Sequence, residues 1–411
     1  MRMPGGPDQH CSGSQEGEID PCSMVLIRSP NRTRDARKSP PARIRRHRGR
    51  DAIKGVNAEA SLPHSPTAGC SQRKCHMRIL KKRSPSLATT TLRTLAEYPI
   101  ASALIATAGL MAGAAFVNRR LADKAQRDNP PQGRFIDIDG VRLHYVERGS
   151  GRPLVLLHGN GSMIQDFESS GLIDLAAKDY RVIVFDRPGF GHSLRPRNVV
   201  WTPAAQADLF KDALAHLGVD KAIVLGHSWG ASVAIALASR HPSLVEALIL
   251  ASGYYFPTAR TDAMMAMAGP AIPGFGDILS HTISPILSRL MWPTMLRQLF
   301  GPKSVPEKFD GFPKSLAVRP SQLRAGAAEA ALMVPSAMLS AKTYGELAMP
   351  VTILAGEDDR LIDIDEQSGR LHDEIKHSKM RRVPNAGHMI QQSDTADLMA
   401  AVDEAAAETL H

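Results

Sequence analysis

Cysteine is absent from the chain beyond residue 75. The four cysteines, Cys11, Cys22, Cys70 and Cys75, all belong to the N-terminal segment. The rest of the protein therefore has neither a disulfide bond nor a thiol nucleophile. Cys70 and Cys75 have no second pair at zinc-finger spacing, so the sequence predicts no metal site.

Net charge is also nearly absent from most of the chain, although the total is +9. Residues 1–76 hold 14 of the 50 Lys and Arg and 7 of the 41 Asp and Glu, which leaves 36 basic and 34 acidic side chains for the remainder. Proteins that bind nucleic acid present a strongly basic surface. No nucleic-acid partner is therefore expected for the larger part of the chain.

The first 76 residues lack apolar periodicity and are rich in Arg, Pro, Ser and Gly, with a basic run at residues 43–50. Such a segment buries too little apolar area to offset the entropy of ordering, so we expect it to be disordered. Two alternatives stay open. In the first, the segment is a basic arm for nucleic acid or anionic lipid. In the second, the natural chain begins at Met77 and the segment is an over-extended gene model. A natural peptide from within residues 1–76 would contradict the second alternative.

Residues 100–117 contain no charged side chain. As an α-helix they would span about 27 Å, just enough for the hydrocarbon core of a bilayer. We interpret them as a single N-terminal membrane anchor. The alternatives are a signal peptide cleaved near residues 112–114, which would make the protein exported or periplasmic, and a helix packed on the soluble domain. Lys and Arg flank both ends, so no orientation is predicted, and residues 118–133 are interpreted as a linker.

From residue 134 onward, apolar runs alternate with turns and helix-length segments. Residues 135–138 and 141–147 flank an Asp-Gly pair, which is typical of a β-hairpin. The following runs are continuously apolar, as expected for strands buried on both faces. They lie at residues 153–157, 182–185, 222–225, 248–251 and 351–355. Because helical segments such as 203–217 separate them, the pattern predicts a mostly parallel sheet in an α/β fold.

This alternation stops between residues 254 and 348, where no strand pattern occurs. The segment is predicted to be helical and to form a cap over the carboxyl edge of the sheet. Residues 134–253 and 349–411 then form the core domain. The methionines of the cap either line a soft apolar pocket or pack within the cap itself. They include Met264, Met265, Met267, Met291, Met295 and Met333.

Residues 226–230 read Gly-His-Ser-Trp-Gly and match the G-x-S-x-G motif. The apolar run before them and the small apolar residues 231–238 after them predict a strand, a sharp turn and a helix. Strand and helix then pass so close that Gly226 and Gly230 must lack a side chain. The turn would present the hydroxyl of Ser228 at the carboxyl edge of the sheet, where it can act as a nucleophile.

A serine nucleophile needs a base, and the base needs an orienting acid. The run 351–355 leads into a group of acids, among which Asp359 is the expected orienting acid and Asp358 the alternative. His388 follows the last predicted strand and completes the order Ser, Asp, His. It is expected to take the proton from Ser228 and to pass it to the leaving group.

Acyl transfer also needs two N–H donors for the oxyanion of its transition state. The expected donors are the backbone N–H groups of Asn160, in the loop after residues 153–157, and of Trp229. His158 is expected to support that loop. The Gly-rich turn at residues 186–193 lacks the pattern of a phosphate or dinucleotide loop, so we interpret it as structural, with Asp186 holding it and His192 as a turn residue.

Taken together, the motifs of residues 134–411 resemble those of the α/β-hydrolase superfamily. They are His158-Gly159-Asn160-Gly161, residues 186–193, residues 226–230, Gly356-Glu357-Asp358-Asp359 and Gly387-His388. The resemblance implies an eight-stranded sheet with a helical cap after the sixth strand, and the roles assigned to Asp359 and Asn160. It also implies hydrolysis through an acyl-enzyme, without a cofactor. Gly161 stands where many relatives of this type have proline.

The sequence therefore predicts a serine hydrolase that cleaves an ester of a small, apolar acyl substrate. A thioester, lactone, amide or activated C–C bond is the alternative target. Epoxide hydrolases and haloalkane dehalogenases share the capped plan but use an aspartate nucleophile, so Ser228 argues against their chemistries. An acyltransferase with the same triad and a non-catalytic, membrane-associated binding protein are the alternative functions.

Overall fold

The computed structural model describes residues 98–258, 272 and 274–409. The segment predicted to be disordered, residues 1–76, lies outside this part of the chain, and so do Met264, Met265 and Met267 of the predicted cap.

Eight strands form a single sheet that is mostly parallel. They are β1 (Arg134–Ile138), β2 (Val141–Arg148), β3 (Arg152–Leu157), β4 (Tyr180–Phe185), β5 (Ala222–His227), β6 (Val245–Ala251), β7 (Val351–Gly356) and β8 (Lys379–Val383). Their order across the sheet is β1-β2-β4-β3-β5-β6-β7-β8. The β1–β2 and β2–β4 pairs are antiparallel, and the other pairs are parallel. The predicted fold class is confirmed.

The helices lie on both faces of the sheet and in a cap between β6 and β7, except that the first helix precedes β1 and packs on the cap. They are α1 (Pro99–Asp128), α2 (Ile164–Ser170), α3 (Leu172–Ala176), α4 (Pro203–His216), α5 (Trp229–Arg240), α6 (Phe275–His281), α7 (Ser284–Phe300), α8 (Lys314–Ala317), α9 (Pro320–Ser340), α10 (Arg370–Glu374), α11 (Ile390–Ser393) and α12 (Thr395–Glu408). Short 3-10 turns lie at Glu307–Gly311 and Tyr344–Glu346, and a π-helical turn at Asp365–Gly369. Helices α6 to α9 form the cap.

Burial on both faces explains the continuous apolar runs. Val155 and Leu157 of β3 pack in a cluster with α4 and α5. Leu154 and Leu156 of the same strand point the other way, into a cluster with α2, α3 and α12. All four side chains are fully buried. A strand that lies between two helical layers buries the side chains on both of its faces. For this reason β3 has consecutive apolar residues where a strand with one exposed face would alternate apolar with polar residues.

The hairpin at the edge of the sheet follows its turn chemistry. β1 and β2 pair in register through Ile138 and Val141. Asp139 and Gly140 between them have φ angles of 48° and 78°. Two consecutive left-handed residues are typical of a tight hairpin turn, which Asp-Gly adopts readily.

The predicted linker at residues 118–133 is wrong over most of its length, because α1 continues to Asp128. The last ten residues of α1 are mainly good helix formers. Among them, Lys124 and Asp128 form an i,i+4 ion pair. This part of the helix also packs on the protein through the buried residues Asn118 and Ala125. The helix ends at Asn129-Pro130, where the residue before a proline disfavours helical geometry.

The close approach of β5, α5 and β3 makes a testable demand on Gly230. A methyl group at Gly230 would lie 2.1 Å from the carbonyl oxygen of Leu157, a backbone atom that cannot move aside. We expect Gly230→Ala to lower the free energy of unfolding by about 1–3 kcal/mol or more. Gly345→Ala is the matched control, since the nearest atom there is 3.9 Å away. Denaturant titration measures both, and equal stabilities would contradict the packing described here.

Candidate active site

Ser228 lies on a strained turn between β5 and α5. Its φ and ψ angles are 54° and −120°, a conformation that costs a non-glycine residue free energy. Its N–H donates to the carbonyl of Ala251 at 2.8 Å, which ties the turn to the end of β6. A methyl group at Gly226 would lie 2.4 Å from the carbonyl oxygen of Gly230. The strand and the helix on either side of the turn are therefore in close backbone contact. The side chain is thereby presented at the carboxyl edge of the sheet and is half-buried.

Asp359 and His388 form a buried pair at the same edge. Nδ1 of His388 and Oδ2 of Asp359 are 2.7 Å apart, and the two side chains are 5% and 2% exposed. The other carboxylate oxygen accepts the N–H groups of Leu361 and Ile362. Burial alone would raise the pKa of Asp359, but the charge and hydrogen bond of His388 hold that pKa below its usual range. Asp358, the alternative acid, is exposed.

His227 connects His388 to the nucleophile turn. Its Nε2 donates to the carbonyl oxygen of His388 at 3.0 Å, and the centres of the two rings are 5.1 Å apart. Burial and the charge of His388 lower the pKa of His227 to about 3. His227 therefore stays neutral and serves as a fixed donor. Because His227 directly precedes Ser228, this bond ties the backbone of His388 to the nucleophile turn.

The predicted oxyanion loop passes directly against the nucleophile. A methyl group at Gly159 would lie 3.1 Å from Cβ of Ser228. The next residue, Asn160, turns its side chain to the cap, where Nδ2 donates to the carbonyl of Gly326 at 3.0 Å. Trp229 is the first residue of α5, where a backbone N–H has no intrahelical acceptor. Both predicted donors thus belong to segments that adjoin Ser228.

His158 is bonded on both sides of its ring. Nδ1 donates to the carbonyl of Gly159 at 2.8 Å, and Nε2 accepts the N–H of Arg187 at 3.0 Å. Burial and the charge of Arg187 lower the pKa of His158 to about 3. A neutral histidine with both nitrogens engaged supports the loop, as expected from the sequence.

Arg187 is a support that sequence reasoning missed. Its buried guanidinium donates to the carbonyls of His158 and Gly159 at 2.7 and 2.9 Å. It also forms a buried ion pair with Glu329 of α9, where Nη2 and Oε2 are 3.0 Å apart. Arg187 therefore joins the oxyanion loop to the cap.

Asp186 holds the Gly-rich turn at residues 186–193 through several bonds. Its carboxylate accepts the N–H groups of Ile164 and His192, each at 2.9 Å. It also lies 2.7 Å from Nδ1 of His144. Burial would raise the pKa of Asp186, and the bond and charge of His144 outweigh that effect and lower it.

Gly161 has a φ angle of 74°, which proline cannot adopt. A side chain of the cap restrains the loop instead. Nε2 of Gln322 on α9 donates to the carbonyls of Gly161 and Ser162, each at 3.3 Å. Oε1 of Gln322 accepts the N–H of Gly191 at 3.0 Å. One glutamine thus links the oxyanion loop to the Gly-rich turn.

No metal centre accompanies these residues in the described part of the chain, where no group of three or more His, Cys, Asp or Glu side chains could hold an ion.

The sheet, the strained serine turn and the cap define an α/β hydrolase. Residues 152–395 match the family model described as alpha/beta hydrolase fold. This match covers more than half of the chain, and the protein belongs to that family.

Curated relatives include hydrolases that act on different bonds. The 2-hydroxymuconate semialdehyde hydrolase of Pseudomonas sp. (strain CF600) is 35% identical over 136 residues, which are 32% of this chain and 48% of that protein. Haloalkane dehalogenase 2 of Mycobacterium tuberculosis is 26% identical over 288 residues, 67% of this chain and 95% of that protein. The chain thus spans about half the length of the first relative and nearly all of the second.

Solved structures share the fold. An epoxide hydrolase, CorEH, has a TM-score of 0.57 and 25% identity, and the match covers 67% of this chain and 98% of that chain. A membrane phospholipase A has a TM-score of 0.52 and 21% identity, and covers 78% of this chain and 99% of that chain.

The bonds of Gln322 lead to a kinetic prediction. Gln322→Ala removes three hydrogen bonds from the oxyanion loop and the adjoining turn. On a chromogenic ester, the substrate class that the sequence predicts, we expect kcat to fall on the order of tenfold with little change in KM. A loop displaced by about 1 Å can cost up to about 10²-fold. Gln298→Ala, at an exposed position of α7, is the control. An unchanged kcat in a folded Gln322→Ala protein would show that turnover does not depend on the hydrogen bonds of Gln322.

The low pKa of His227 leads to a prediction about acid stability. An unfolded histidine has a pKa near 6.5, so below that pH the unfolded state binds a proton that the folded state refuses. Stability is therefore lost as the pH falls from 6.5 towards 3. Replacing His227 by Gln should reduce the loss between pH 7 and pH 5 by about 2 kcal/mol. Chemical denaturation at both pH values tests this, with the exposed His216→Gln as control, and an equal loss in both variants would refute it.

Proposed function

We propose that the protein is a serine hydrolase that cleaves an ester of a small, apolar acyl compound. The observation that carries the proposal is the buried hydrogen bond of 2.7 Å between His388 and Asp359, at the sheet edge where the strained turn presents Ser228. A serine, an imidazole and a carboxylate in this order form the triad that converts a hydroxyl into a nucleophile.

The proposed reaction proceeds through an acyl-enzyme. Ser228 Oγ attacks the carbonyl carbon while Nε2 of His388 takes its proton, and the carboxylate of Asp359 stabilises the imidazolium that forms. The N–H groups of Asn160 and Trp229 stabilise the oxyanion. His388 then protonates the leaving alcohol, and water releases the acyl group by the reverse steps.

The identity of the nucleophile favours an ester over the bonds that some relatives cleave. Haloalkane dehalogenases and epoxide hydrolases resemble this chain in plan but use an aspartate at the position of Ser228. Attack by aspartate on an alkyl carbon gives an ester that water can hydrolyse. Attack by serine on the same carbon would give an ether, which water does not readily cleave. Attack by serine on an acyl carbon gives an ester and permits turnover.

We further propose that α1 attaches the enzyme to a membrane. Of the helices described, α1 alone is long and apolar enough to span a bilayer. No residue of its apolar stretch is buried inside the protein. The membrane phospholipase A is one of the proteins that share the fold.

A fluorophosphonate probe tests the proposed nucleophile. Wild-type protein should be labelled at Ser228, and Ser228→Ala should abolish the labelling. Ser232→Ala, one turn further along α5, is the matched control and should be labelled normally. His388→Gln should lower ester turnover on the order of 10³-fold or more. Folded wild-type protein that remains unlabelled would reject the proposal.

A further inference from the structure

The cap helix α7 has an apolar face that no part of the described chain covers. Ile283, Ile286, Leu287, Leu290 and Met291, here called the α7 face, are all exposed, and Leu290 is 72% exposed. Their spacing of three and four residues places them on one side of the helix.

Other residues of α7 account for its attachment to the protein. Trp292, Leu296 and Leu299 are partly buried and pack against a cluster that contains Phe300 and Phe309. Further along the helix, exposed positions are polar, as at Arg297 and Gln298. The apolar exposure is therefore confined to the first half of α7.

The first half of α7 lies next to α1. The two helices line an apolar groove, whose walls are Gly113, Ala114, Val117 and Leu121 on α1 and Ile286 and Leu290 on α7. On the adjoining helix α6, Phe275 and Ile278 are also exposed. The uncovered apolar surface of the cap thus continues into the apolar segment of α1.

Hydrogen bonds of a buried asparagine attach α1 to the cap beside this groove. Nδ2 of the buried Asn118 donates to the carbonyls of His281 and Thr282 at 3.0 and 2.8 Å. Its Oδ1 accepts a hydrogen bond of 3.1 Å from Arg289 of α7. Because Asn118 directly follows the apolar segment, the position of that segment determines the position of the α7 face.

We propose that the α7 face is a second membrane-contact surface, which enters the same bilayer that receives α1. The inference rests on the proposed membrane attachment. A helix that is apolar on all sides and exposed along residues 100–117 is stable in a bilayer but not in water. Arg119, Arg120 and Arg127 follow at once, and they complement anionic lipid headgroups. The groove brings the α7 face to the level of residues 113–121, where the apolar segment meets those charges.

Depth-dependent fluorescence quenching tests the proposal in the full chain. Cys11, Cys22, Cys70 and Cys75 are replaced by Ser, and one NBD label is attached at Leu287→Cys, at Leu110→Cys in α1, or at Lys221→Cys at the amino edge of the sheet. The vesicles contain phosphatidylcholine and phosphatidylglycerol with brominated acyl chains. Labels at positions 110 and 287 should be quenched, the latter by bromines about 5–10 Å below the headgroups. The label at position 221 should not be quenched.

A charge on the α7 face provides the matched comparison. Leu290→Glu should reduce quenching at position 287 several-fold and leave quenching at position 110 unchanged. Gln298→Glu adds the same charge to the polar half of α7 and should change neither.

Each other outcome overturns the inference in a distinguishable way. Quenching at position 110 without quenching at position 287 leaves the membrane attachment intact but removes the α7 face from it. Quenching at neither position rejects the attachment itself. Shielding of position 287 without vesicles, rising with protein concentration, assigns the face to a second copy of the chain. None of these results depends on Ser228, so the proposed hydrolysis is tested separately.

Discussion

The catalytic proposal depends on how closely the backbone of β5 and α5 approaches that of β3. Gly226 faces the carbonyl of Gly230, and Gly230 faces the carbonyl of Leu157 on β3. No side chain fits at either position. The backbone passes from the strand to the helix through a single residue, and that residue must adopt a positive φ angle. Ser228 is that residue, with a φ angle of 54°. The packing of the sheet supplies the free energy that offsets the local strain.

The same approach places the oxyanion loop, and the cap then restrains that loop. Gly159 adjoins Ser228, while Arg187, Gln322 and Asn160 connect the loop to α9 through an ion pair and hydrogen bonds. Buried ion pairs such as that of Arg187 and Glu329 contribute little net stability, but they strongly disfavour arrangements that leave one charge alone. A cap displaced from the core would leave both charges unpaired. The geometry of the loop and the closure of the cap are therefore energetically coupled.

The sequence predicts those features that have a local signature. The doubly buried strands appear as continuous apolar runs, and the tight turn at Ser228 appears as two glycines around a serine. His227, Gln322 and Glu329 could not be identified, because their partners lie more than 100 residues away and leave no periodic pattern. The length of α1 was underestimated for a similar reason. The polar half of the helix is held by the hydrogen bonds of Asn118 and by the buried Ala125, so no apolar stripe marks that half as structured.

Two buried histidine–carboxylate pairs in the fold have the same separation of 2.7 Å but different surroundings. Nε2 of His144 accepts the N–H of Gly133, so both of its nitrogens are committed and the ring cannot carry a proton to another group. Within the described residues, His388 makes a side-chain hydrogen bond through Nδ1 only, and its carbonyl is held by His227. Its orientation is thereby fixed while Nε2 stays available for the proton of a hydroxyl. The proposed catalytic pair thus differs from the structural pair in its second ring nitrogen, and the sequence spacing of the two pairs does not reveal that difference.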